Sequence, residues 1–195
     1  MSAWRDAPTL VGQHVTLRPL VPEDRDSLVT AAGDQTGLFY ANVSGLADPD
    51  AFMAATFRER DFGRAMPFAV DMPDGRVVGL TRLMRMSEAH RRVEIGGTFY
   101  AREVQRTAVN TEAKKLLLQH AFEVRGCTVV QSRTDWFNRA SQNAIERLGA
   151  KRDGVLRAHQ VMNGRTRDIV VYSIIACEWP GVRANLDHLL NRGGR

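Results

Sequence analysis

The hydrophobic pattern switches repeatedly between a period of two and a period near 3.6. "HVTLRPL" (14–20) alternates, with Val15, Leu17 and Pro19 on one side and Thr16 and Arg18 on the other, and predicts a strand. "VPEDRDSLVTAAGD" follows, with Pro22 where a first helical turn tolerates it and acids just after, where they suit the positive end of the helix dipole. Residues 46–60 predict a second helix, introduced by "ADPDAF" with Asp48 as cap and Pro49 in the first turn. "AMPFAVDM" and "RVVGLTRLMRM" flank "PDG" (73–75), where proline presets φ and glycine accepts a positive φ, so the pair predicts a β-hairpin. "RRVEIGGTFY" (91–100) predicts a further strand.

Downstream, Ala113, Leu116, Leu117, His120, Ala121 and Val124 recur at helical spacing in "QRTAVNTEAKKLLLQHAFE" (105–123) and just beyond, ending at Gly126. "CTVVQSRTDW" (127–136) reads as a strand and "NRASQNAIERLGA" (138–150) as a helix stopped at Gly149. "VLRAHQVM" and "DIVVYSIIA" predict two strands around "NGRTR", whose Asn-Gly is a strong hairpin signal, and a short amphipathic helix (182–191) finishes the chain. The resulting order is β-α-α-β-β-β-α-β-α-β-β, a mixed sheet with helices on its faces, of α/β or α+β class. A strand, the 105–123 helix and another strand form a crossover, which implies locally parallel strands. Ligands of such sheets tend to lie at strand carboxyl ends, against helix N-termini.

Composition narrows the picture only a little. A length of 195 residues suits a single domain with a core of about 10–180. Hydrophobic residues make up 44% and charged residues 25%, as in a soluble globular protein. No apolar run approaches the length of a membrane span, and the N-terminus lacks the pattern of a signal peptide. Cys127 and Cys177 match no metal or redox spacing and are expected as buried thiols of a cytoplasmic protein. The net charge of +5 comes from dispersed arginines, without a block of like charge or interleaved aromatics, and names no partner: a solvated basic surface without direct nucleic-acid contact is expected, and a non-catalytic basic ribosome- or RNA-binding module is the rival reading. His14, His90, His120, His159 and His188 are scattered without metal spacing, and His120 falls on the apolar helix face as a satisfied core histidine.

The order of elements, with "LRPLVPED", "VEIGGTFY", "QRTAVNTEAKKLLLQHAFE", "NRASQNAIERLGA" with "GVLRAHQVMNGRTRD", and "VYSIIACEWP", resembles the GNAT acetyltransferase superfamily. Within it the chain is similar to the branch that acetylates ribosomal-protein N-termini. The resemblance implies a mixed, mostly antiparallel sheet flanked by helices. It also implies acetyl-CoA as acyl donor, no metal, and a protein N-terminus or a small amine as acceptor. A ribosomal protein as partner and a homodimer follow from the same likeness.

The resemblance also names site residues. The pyrophosphate loop of the family, Gln/Arg-x-x-Gly-x-Gly/Ala, falls on Gln105, Arg106, Thr107, Ala108, Val109 and Asn110, with Thr111 next. Open amides and the positive dipole end of a helix favour a diphosphate there, although a plain cap is the other reading of so polar a start. Ala108 and Asn110 stand where glycines are usual, so a positive φ at 108 would be costly. Arg106 is either a phosphate contact or a solvated arginine. Gly97, Thr98 and Phe99 match the strand that bonds pantetheine through its backbone, and Gly96 and Gly97 equally suit a bulge. Glu94 matches the acidic general base, or else holds a structural ion pair with an arginine. Asn138 matches the asparagine that holds the pantetheine arm, and Ser141 a catalytic hydroxyl near the sulfur; both also suit helix capping. Many relatives place a tyrosine acid four residues after that serine, and here the position is Ile145.

Overall fold

A computed structural model of the chain describes Trp4 and residues 6–35, 45–162 and 164–192. Its strands are β1 (Leu10–Val11), β2 (Thr16–Pro19), β3 (Ala65–Asp71), β4 (Val77–Ser87), β5 (Arg92–Tyr100), β6 (Val129–Asp135), β7 (Lys151–Met162) and β8 (Arg165–Ile175). Its helices are α1 (Arg25–Ala32), α2 (Pro49–Asp61), α3 (Ala108–Gln119), α4 (Arg139–Arg147) and α5 (Trp179–Arg192). All eight strands join one sheet in the order β1-β2-β3-β4-β5-β6-β8-β7. Every neighbouring pair is antiparallel except β5 and β6, which the α3 crossover makes parallel.

Local chemistry accounts for most element ends. Asp48 caps α2 by accepting from Ala51 N at 3.0 Å, and Gly75 turns the β3–β4 hairpin with a φ of 84°. Gly149 ends the α4 segment with a φ of 102°. The short β1 was not expected, because two residues carry no period. It forms because Glu112 of α3 accepts from three successive amides, Gln13 (2.9 Å), His14 (2.5 Å) and Val15 (2.9 Å), fixing the turn that folds β1 onto β2. A side chain at Gly12 would collide with that carboxylate at 2.5 Å.

Several expectations need correction. Val124 is 61% exposed and not part of the buried face, because α3 gives way to a wider π-turn over His120–Val124 that rotates the last residues outward. Cys177 is exposed on a short turn beside α5, whereas Cys127 is buried. The last helix starts at Trp179 and not at 182. The expected helix at 46–60 divides into a 3₁₀ turn at Gly45–Ala47 and α2. Asn163 of the expected hairpin turn lies outside the described residues, as do residues 36–44, part of the segment (about 35–60) that with 155–168 is expected to face the acceptor.

Adjacent side chains of β4 show which helix covers which face. Thr81 accepts a hydrogen bond from Lys114 of α3, while the Arg82 guanidinium lies 5.1 Å from the ring of Phe52 on α2. Successive strand residues point to opposite faces, so α2 and α3 lie on opposite sides of the sheet.

Candidate active site

The site begins where the parallel pair comes apart. β5 and β6 are in register only over Arg92–Val129, Val93–Val130 and Glu94–Gln131. Beyond that rung β5 continues along β4 to Tyr100, and β6 continues along β8 to Asp135. One hydrogen bond still spans the widening gap, from the Ser132 hydroxyl to Ile95 O at 3.2 Å. The β6-facing backbone edge of Gly96–Phe99 is left without a strand partner. A bulge sits on the same stretch: Leu80 pairs with Phe99 and Arg82 with Gly96, so Gly97 and Thr98 together face Thr81. Gly97 takes a φ of 60° there. Of the two roles expected for these glycines, the bulge is present.

Two helices start at the open end of this cleft. Before α3, the Gln105 side chain donates to Gln35 Oε1 (2.7 Å) and to Tyr100 O (3.0 Å), fastening the loop to the end of β5. Arg106 is exposed and takes a φ of 63°. The left-handed residue of the loop is therefore Arg106, and Ala108 is an ordinary first residue of α3. Thr107 is the N-cap: its hydroxyl accepts from Val109 N at 3.3 Å and donates to Val104 O at 2.6 Å. Among the described residues the amides of Arg106 and Thr107 meet no backbone acceptor, and the first helical amide, at Ala108, has none by geometry. Val109 is buried, Asn110 half-buried, and buried Thr111 accepts from Arg147 of α4 at 2.9 Å.

The second start, at α4, is held by a buried carboxylate. Asp135 accepts from Phe137 N (2.8 Å), Arg167 Nε (2.6 Å) and Arg165 Nη2 (2.5 Å). The Gln142 amide adds bonds to the carbonyls of Asp135 (3.2 Å) and Trp136 (2.6 Å). Asn138 caps the helix, its Oδ1 accepting from Ser141 N at 3.0 Å. The Ser141 residue is half-buried, and Ile145 occupies the position where the family's tyrosine would stand.

Glu94 stands at the last paired rung, 5% exposed, across the sheet face from Val93 and Ile95. Its Oε2 faces Arg85 Nη1 at 3.0 Å and Arg133 Nε at 3.2 Å, the second an ion pair without hydrogen-bond alignment. The expected structural ion pair is thus present. Burial pushes the Glu94 carboxyl above the usual range, against the opposing pull of the two arginines. Its Oε1 lies over Gly96, where an added Cβ would come within 3.4 Å.

Three neighbours escaped sequence reasoning. Arg85 reaches Glu94 because β4 is irregular between Met84 and Ser87 and Arg85 takes a φ of 49°. Lys114, on the α3 face, donates to Thr98 Oγ1 (2.7 Å) and Thr81 Oγ1 (3.2 Å), bracing the bulge from behind. Burial brings its amine down to about 7. Arg82 flanks the bulge on the α2 face, 3.0 Å from where a Gly97 Cβ would stand. For Arg82 and Arg85, charged residues inside the alternation of β4 were the available signal.

A splayed parallel pair with a bulged free edge and two helix starts at its mouth can seat an extended thiol cofactor with its phosphates on the α3 amides. The sequence model described as an Acetyltransferase (GNAT) domain matches residues 14–151. The chain belongs to the GNAT acetyltransferases. It is therefore an acetyl-CoA-dependent N-acetyltransferase. "Putative ribosomal N-acetyltransferase YdaF" of Bacillus subtilis is 29% identical over 184 residues, covering 88% of this chain and 96% of that one. The crystal structure of a GCN5-related N-acetyltransferase from Brucella melitensis is 27% identical, with a TM-score of 0.84 over 95% of this chain and 86% of that one. Mycobacterium smegmatis RimJ in complex with CoA-disulfide shares the fold at 21% identity, with a TM-score of 0.75 over 97% of each chain. Among the described residues no helix is long and apolar enough to cross a membrane.

Proposed function

We propose that this acetyltransferase modifies a protein N-terminal α-amine, with Glu94 as the general base. The observation that carries the reading is the place of Glu94: buried, at the rung where β5 and β6 part, with one carboxylate oxygen over Gly96. A carboxyl pushed up by burial is a better proton acceptor than a free one, and an α-amine, with a pKa of about 8 against about 10.4 for lysine, asks little of it. Acetyl-CoA supplies the thioester carbonyl that the amine attacks. In this reading Gly97, Thr98 and Phe99 bond the pantetheine through the free edge of β5. The amides of Arg106, Thr107 and Ala108 take the pyrophosphate at the start of α3, with Gln105, Val109, Asn110 and Thr111 shaping the loop behind them. Asn138, whose Oδ1 is spent on its cap, offers its NH₂ to the arm, and Ser141 stands nearest the leaving thiolate. Single-domain organisation and a cytoplasmic, homodimeric enzyme belong to the same proposal.

The name of YdaF supports a ribosomal protein as acceptor. A polyamine is disfavoured, because Arg85 and Arg133 already pair with Glu94 and a third guanidinium, Arg82, stands on the same face. Thiol release from acetyl-CoA, measured against N-terminal peptides and small amines including spermidine, tests the acceptor: turnover with peptides is expected, and turnover with spermidine alone overturns it. Glu94→Gln should lower kcat/KM more at pH 7, where the α-amine is mostly protonated, than at pH 9. An equal loss at both values removes the base assignment.

A further inference from the structure

We infer that Arg82 is a carboxylate-binding residue of the acceptor site, so that the enzyme prefers N-termini carrying an acidic side chain next to the reacting amine. The inference rests on the reading of the Glu94 face as the acceptor side.

Glu94 and Arg82 flank one slot. Glu94 pairs across the sheet with Met84 and Gly96 with Arg82, so the acid and the guanidinium stand on the same face, one step apart along β5. Gly96 and Gly97 floor the space between them. A Cβ at the first would meet Met84 Sδ at 3.0 Å and Glu94 Oε1 at 3.4 Å, and a Cβ at the second would meet Arg82 Cδ and Nε at 3.0 Å.

The arginines of this face are not equivalent. Arg85 and Arg133 are both committed to Glu94 Oε2. Among the described residues no carboxylate pairs with Arg82, and its buried Nε has no hydrogen-bond partner. Its guanidinium is instead stacked on Phe52 of α2, 5.1 Å from the ring centroid. Burial lowers it to about 10, and it remains charged at neutral pH. A charge held in a half-buried slot without a counter-charge costs stability, and the cost is relieved by a ligand that brings the opposite charge. The planar fork of a guanidinium fits a carboxylate in two parallel hydrogen bonds. Arg82 stands on the α2 face, whereas the helix whose first amides form the phosphate cradle, α3, packs on the opposite face. A carboxylate beside the amine would thus point the amine towards the unpaired oxygen of Glu94.

The test is thiol release from acetyl-CoA with three peptides that differ only at the second residue: Ser-Glu, Ser-Gln and Ser-Lys. The expected result is a kcat/KM for Ser-Glu about tenfold or more above that for Ser-Gln, and lowest for Ser-Lys. Arg82→Met should collapse the Glu/Gln ratio towards one, and Arg82→Lys should keep part of it. Equal values for the three peptides with the parent protein overturn the inference without any variant, and a ratio that survives Arg82→Met overturns it as well. Free serine against serinamide separates the other source of a carboxylate. Preference for serine with inert peptides keeps the Arg82 contact but overturns the protein-terminus reading. Succinyl-CoA is the remaining arm: if Arg82→Met impairs only that donor, Arg82 reads the acyl group and the inference fails. Peptides acetylated without regard to charge would leave the N-terminal acetyltransferase reading intact and remove only this one.

Discussion

Arg106 holds the backbone conformation that glycine usually supplies in such loops, with a φ of 63°. For an L-residue that conformation costs on the order of 1 kcal/mol, and the cost is worth bearing only where the turned amides are needed. Arg106→Gly removes the strain and Arg106→Ala keeps it, and both delete the charge. Chemical denaturation should therefore find the glycine variant more stable than the alanine variant by about 1 kcal/mol, less the greater entropy of glycine in the unfolded chain. Acetyl-CoA affinity of the two, measured by calorimetry, should be similar if only the guanidinium matters and higher for glycine if the loop geometry does. The sequence indicated the loop but not its left-handed residue, because the family pattern directs attention to 108 and 110. Glu94 was legible as the one acid between Val93 and Ile95. Its two arginine partners were not, since Arg85 comes from an irregular turn of β4 and Arg133 from a strand whose pairing no local pattern states.

At the scale of elements, α3 does more than close the crossover. One turn of it carries Glu112, which pins the β1–β2 turn on one side, and Lys114, which braces the Thr81–Thr98 bulge on the other. Lys114 bonds to two hydroxyls and, among the described residues, to no carboxylate, so burial alone sets its proton affinity. Its amine is lowered to about 7 in the folded chain and rises to the ordinary lysine value on unfolding. Between those values the unfolded chain holds a proton that the folded chain has released, so this group makes stability rise with pH from about 7 towards 10. Lys114→Met should flatten that rise. The difference in unfolding free energy between parent and variant should shift in favour of the parent by on the order of 1 kcal/mol per pH unit in urea titrations at pH 7, 8 and 9. A difference independent of pH would show that the lysine is charged in the fold. Element order and the parallel crossover were legible because helical and strand periods are local properties. β1 and the π-turn after Gln119 were not, because neither carries a hydrophobic period of its own, whereas the β5 bulge was one of the two readings that Gly96 and Gly97 offered.

The whole molecule joins these elements around the gap where β5 and β6 part. β5 and β6 hold together over three rungs, and past them side chains tie the two sides of the sheet, among them Ser132 to Ile95 and Arg133 to Glu94 across the gap and Arg147 to Thr111 between the helices. A ligand lying on the free edge of β5 would add main-chain bonds where the sheet has none, and it would bind only the folded form. At a hundred times its dissociation constant, acetyl-CoA should then stabilise the protein by about 2.7 kcal/mol. For a chain of this size that corresponds to a rise in Tm of roughly 5–10 °C. Hydrogen exchange should show where the gain is made. Protection should appear together at the β5 edge (96–99), the loop before α3 (106–108) and the start of α4 (138–141), with β1–β2 and the β7–β8 hairpin little changed. Protection of the α3 loop without the β5 edge would mean that the phosphates bind while the arm does not enter the cleft. A missing Tm shift at saturating acetyl-CoA would contradict the placement of the donor in this cleft altogether.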